Sequence, residues 1–134
     1  MHFLKKLNPE WALRIGFGLM YLYAGFNLFN QPALWRSFLP LWYTQIIASL
    51  MPVEIYFRLQ GIIEIIVGLL FLAWFFGRWG VLVGTLYSIA EFLFILLFTG
   101  VNLITFRDIG LLGAAIALLI FILSSRADKS HYTQ

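Results

Sequence analysis

The chain has 134 residues; 62% are hydrophobic, 11% are charged and none is cysteine. A soluble domain is about 45–50% apolar and about 25% charged, so this composition belongs to the membrane class, at a length that suits one domain. The net charge of +3 is spread over tails and loops, a pattern of membrane orientation rather than of nucleic-acid binding. Without cysteine there is no disulfide, thiol nucleophile or iron–sulfur site. The two histidines, His2 and His131, lie in the tails and cannot ligate haem at membrane depth.

Asn8-Pro9 reads as a helix start, with Asn as the N-cap and Pro at the first helical position. The first span covers about residues 10–29 and stops at Asn30-Gln31-Pro32. Lys5-Lys6 before this run also resembles a signal peptide. However, the run is longer than a signal's apolar region and no small-residue cleavage site follows. Residues 33–52 are rich in Trp, Tyr and Leu and are broken by Pro40 and Pro52. This predicts one or two short helices lying in the interface or folded over the mouth of the bundle.

The second span is expected over about 54–76 and the third over 79–98, an antiparallel hairpin joined at Gly77-Arg78. The fourth covers 106–124. Thr105-x-x-Asp108 before it fits a capping box. A polar tail, 125–134, is expected to fray. Lys5, Lys6, Arg78, Arg126 and Lys129 gather on one side with Arg14 just inside, against Arg36, Arg58 and Arg107 on the other. The positive-inside rule then puts both termini in the cytoplasm.

Each span carries small and polar residues on one face at helical spacing. These are Arg14, Gly18, Tyr21 and Gly25 in the first; Gln60, Gly61, Glu64 and Gly68 in the second; Gly84, Tyr87, Ser88 and Glu91 in the third; and Arg107, Gly110, Ala114 and Ala117 in the fourth. Small residues allow close helix approach and polar ones avoid lipid. The expected fold is therefore an all-α, up-down four-helix transmembrane bundle with a polar seam, forming a single domain over 1–134.

Glu64 and Glu91 stand out, because a charged side chain at the bilayer centre costs a few kcal/mol even on insertion scales. At 1.5 Å per residue, Glu64 lies about 13 Å and Glu91 about 11 Å from the outer ends of their helices, nearly one level. On this reading they are candidate proton-exchanging groups. Tyr21, Gln60, Glu64, Tyr87, Glu91 and Arg107 would line a polar pocket for an amphipathic ligand. A second reading makes the same charges a balanced ion-pair network that holds helix register. Arg14 and Arg58 read as snorkelling side chains, and Asp108 as a cap. No metal-ligand cluster, phosphate loop or Ser-His-Asp set is present.

Three segments carry a family pattern. Leu13-Arg14-Ile15-Gly16-Phe17-Gly18-Leu19 with Tyr23-Ala24-Gly25 resembles the first helix of the DoxX family. Gln60 to Gly68, with its buried Glu, resembles that family's second helix. Phe106-Arg107-Asp108-Ile109-Gly110-Leu111-Leu112-Gly113-Ala114-Ala115 resembles the start of its fourth. The resemblance implies a small four-span protein of a prokaryotic cytoplasmic membrane. It also implies an accessory place beside a quinone-linked redox enzyme or an enzyme of sulfur or oxidative-stress handling, with quinone as the associated cofactor. The family supplies no catalytic residues to carry over. The competing functions are a non-catalytic scaffold, self-associating or bound to a partner, and a small proton-coupled transporter.

Overall fold

A computed structural model describes residues 8–73 and 77–130, with 125–130 as backbone only. The described residues form helices and short connections, with no strand among them. The long helices are α1 (Pro9–Asn30), α4 (Val53–Leu72), α5 (Gly77–Phe98) and α6 (Phe106–Ser130). Between α1 and α4 lie α2 (Pro32–Trp35), a 3₁₀ turn (Arg36–Phe38) and α3 (Leu41–Leu50). All four long helices have the length and apolarity to cross a bilayer. The chain is an integral, all-α membrane protein.

The helix ends follow local chemistry. Asn8 caps α1, its Oδ1 accepting the amide of Glu10 at 3.0 Å. Pro32 ends that run, and Asn30 donates back to the Phe26 carbonyl at 2.9 Å. Pro40 and Pro52 bound α3, as the broken pattern of 33–52 predicts. Gly100, at φ +76°, takes the left-handed conformation just past α5 that a side chain would resist.

Three boundaries differ from expectation. Helix α4 is closed at Leu72, and residues 74–76, which the expected second span includes, lie outside the described residues. Helix α5 begins at Gly77 rather than 79, and α6 continues to Ser130, through part of the expected frayed tail. Ser-Arg-Ala-Asp-Lys is polar but contains no helix breaker, so the ladder continues. The signal-peptide reading of Lys5-Lys6 also falls outside the described residues.

The chain divides into two compact units, residues 17–69 and residues 1–16 with 70–134. In the first, α1 and α4 run antiparallel with their backbones in contact. A β-carbon on Gly25 would stand 2.6 Å from the Gly61 carbonyl oxygen, and one on Gly68 would stand 2.9 Å from that of Gly18. Above this crossing, Leu28, Ile47, Val53 and Phe57 form a core with Trp35, Leu39, Tyr43, Met51 and Tyr56 packed against it. Two hydrogen bonds tie the segment down: Trp35 Nε1 donates to Asn27 Oδ1 at 2.9 Å, and the Tyr43 and Tyr56 hydroxyls meet at 2.9 Å. The outer face of α3, with Leu41, Trp42, Ile46 and Leu50, is exposed and apolar. It suits the bilayer interface.

In the second unit α5 packs against α6. Gly84 receives the Phe71 ring. Thr85 and Ser88 are buried and donate to the carbonyls one turn back, Val81 at 2.7 Å and Gly84 at 2.8 Å. Apolar surroundings require that kind of internal satisfaction.

Candidate functional site

The predicted stripe holds on the first two spans. Arg14, Gly18, Tyr21 and Gly25 are all buried on α1, as are Gly61, Glu64 and Gly68 on α4, with Gln60 partly so. In the 17–69 unit, Tyr21 lies between Gly18 and Gly25, and Glu64 lies between Gly61 and Gly68. Because these glycines pair antiparallel, Tyr21 and Glu64 share a level. Tyr21 is 2% exposed and Glu64 6%. Glu64 Oε2 is sealed from solvent and accepts no hydrogen bond among the described residues, although the side chain is engaged elsewhere. Close glycine contact flanks the acid, with Gly25 against Gly61 on one side and Gly18 against Gly68 on the other.

In the other unit, Gly84 and Ser88 are buried on α5, and Tyr87 and Glu91, one turn apart, are partly buried. The six predicted pocket residues thus divide three and three: Tyr21, Gln60 and Glu64 in one unit; Tyr87, Glu91 and Arg107 in the other.

The fourth stripe does not hold. Arg107, Gly110 and Ala117 are exposed, and Ala114 is partly buried. Helix α6 instead buries Asp108, Ala115, Leu118 and Ile122, a different face. In lipid, apolar side chains are equally at home inside and outside, so smallness alone does not mark the packed side.

The capping box is also replaced. Asn102 Oδ1 takes the amides of Ile104 and Thr105, at 2.8 and 3.0 Å. Thr105 Oγ1 accepts from the Asn102 amide at 3.0 Å and donates to the Gly100 carbonyl. The Thr105 amide, which the Asp108 carboxylate would take in a capping box, is already used by Asn102. Asp108 is therefore a buried carboxylate beside Arg107, not a cap.

Arg14 does not snorkel. It is 6% exposed. Its Nε donates to the Phe71 carbonyl at 2.9 Å and its Nη2 to that of Ala73 at 3.4 Å, both at the C-terminal end of α4. Nη1 faces Glu10 at 3.4 Å, and the guanidinium lies 4.1 Å from the Trp11 ring centre. A cation at a helix C-terminus opposes the macrodipole and satisfies orphan carbonyls. The one sequence signal for this role was the helical cluster Glu10, Trp11, Arg14, with partners three and four residues away.

Other arginines have their own neighbours. Arg36 faces Glu54 at 4.0 Å, and Arg58 lies 5.8 Å from the Phe29 ring centre. No metal-binding group of three His, Cys, Asp or Glu occurs among the described residues. The chain matches no protein-family model, no curated protein and no solved structure.

Proposed function

We propose that this protein is a DoxX-like accessory subunit of a quinone-linked redox complex in a prokaryotic cytoplasmic membrane, with both termini cytoplasmic. The observation that supports it is Glu64, an acid buried at mid-span and level with the buried hydroxyl-bearing side chain of Tyr21. An acid at that depth is costly, and its ordinary use is in a ligand or proton site. Proton exchange with a bound quinone is acid–base chemistry that a carboxylate performs. The electrons come from a partner enzyme that carries the redox centre, which this cysteine-free chain does not supply.

The test is binding of a short-chain ubiquinone to the purified protein and to Glu64→Gln and Tyr21→Phe. The proposal expects saturable binding that both substitutions weaken. Absent binding, or binding indifferent to both, overturns it.

The scaffold reading has its own support, in the backbone contact of Gly61 and Gly68 with α1 on either side of Glu64. It expects Glu64→Gln to lower thermal stability while a co-purifying enzyme keeps its turnover.

A further inference from the structure

We infer that α1 and α4 hold an anionic phospholipid of the surrounding bilayer, its acyl chain in a groove between them and its phosphate on Arg58. The groove lies within the 17–69 unit, is a broad open depression of about 470 Å³, and is lined by Phe26, Phe29, Asn30, Ile62, Ile65 and Ile66. It sits to one side of the glycine contact. At 100° per residue, Ile62, Ile65 and Ile66 lie on one flank of the Gly61–Gly68 ridge, and Glu64 lies on the other. The groove is therefore not the proposed quinone site, and its walls are almost wholly hydrocarbon.

The charge stands at one end. Arg58 is one turn before Ile62 on the same face of α4. It is exposed, and its guanidinium lies 5.8 Å from the ring centre of Phe29, a groove wall. It lies about 8 Å along the helix from Val53, at the depth from which an arginine reaches the headgroups. Asn30, whose side-chain amide donates to the Phe26 carbonyl, lines the same end. The nearest carboxylate on that face, Glu54 one turn earlier, faces Arg36. A groove that accepts an alkyl chain and ends in a planar cation fits one acyl chain and the phosphate of a phospholipid, whose second chain stays in the bilayer. A guanidinium pairs with phosphate through two parallel N–H···O bonds. A zwitterionic lipid fills the groove equally well but brings its own cation to Arg58, so the discrimination is in the headgroup.

The test is native mass spectrometry of the delipidated protein titrated with phosphatidylglycerol or phosphatidylcholine of the same chains. One exposed ion pair between Arg58 and an anionic headgroup predicts up to about a fivefold preference for phosphatidylglycerol. Arg58→Gln should abolish that preference and Arg58→Lys keep part of it. Ile66→Trp, which fills the groove, should reduce retention of both lipids, while Ile63→Trp, exposed on another face of α4, should not. Circular dichroism checks that each variant is folded. Equal retention of the two lipids by the native protein, or a preference that survives Arg58→Gln, overturns the inference. So does an equal effect of the two tryptophans.

Discussion

Gly25 and Gly61 meet backbone to backbone. A β-carbon on either would lie within 2.7 Å of the other's carbonyl oxygen, nearer than real β-carbons come to anything. The obstacle is main chain on both sides, so no rotamer change relieves it. Gly25→Ala and Gly61→Ala should therefore each force α1 and α4 apart and destabilise the protein by about 1–3 kcal/mol, the usual scale of overpacking. Gly113→Ala is the control. A β-carbon there meets nothing within 4 Å, and the helix preference for alanine is about 1 kcal/mol in water. Thermal unfolding in detergent should rank the Gly113 variant at or above the native protein and the other two well below. Equal melting of all four proteins would remove the close crossing.

The same two helices show how far the sequence could be read. On α1 and α4 the polar and small residues marked the packed face, because Arg14, Tyr21 and Glu64 are groups that lipid rejects and glycines lay beside them. On α6 the argument failed. Gly110, Ala114 and Ala117 are small but not polar, and lipid accepts them, while Arg107 at the helix start reaches water without turning inward. Asp108 was legible as polar, but Asn102, three residues before the Thr105 that would open the capping box, takes the Thr105 amide instead, and the Asp108 side chain is buried. The groove beside Phe29 had no sequence signal, since its walls are ordinary lipid-facing residues.

Arg14 joins the end of α4 to the start of α1 through two carbonyls. Hydrogen bonds from a charged group are worth about 1.5–3 kcal/mol, and leaving the cation buried without them adds to the loss. Arg14→Leu removes both the charge and the donors, and should lower stability by roughly 2–3 kcal/mol on that scale. Arg14→Lys keeps the charge but not the planar fork, and should recover only part. Hydrogen exchange locates the effect: amides in the last turn of α4 should lose protection in Arg14→Leu while those near Gly61 do not. A uniform change along α4 would mean that Arg14 acts on global stability and not as a local cap.

The segment over α1 and α4 is held by side-chain pairs whose strength is separable. Tyr43 and Tyr56 share a hydroxyl contact at 2.9 Å and an edge-to-face ring contact at 6.2 Å. Phenylalanine at either position keeps the rings and deletes one hydroxyl. A double-mutant cycle on Tyr43→Phe and Tyr56→Phe should give a coupling of about 0.5–1.5 kcal/mol, the range of a net intramolecular hydrogen bond. Trp35→Phe deletes the donor to Asn27 and should be additive with both. A coupling near zero for the tyrosine pair would leave the segment held by its apolar core alone.

Orientation is testable without background, because the chain has no cysteine of its own. Leu103, between α5 and α6, is 93% exposed, and Trp79, at the start of α5, is 67% exposed. The two positions bracket α5, a helix of 22 residues that is long enough to cross the hydrocarbon core. The positive-inside rule, applied to the lysines and arginines of the sequence, predicts Trp79 toward the cytoplasm and Leu103 outside. In intact cells a membrane-impermeant maleimide should label Leu103→Cys and spare Trp79→Cys, and lysis should expose the second. The opposite pattern would reverse the direction of α5 across the bilayer.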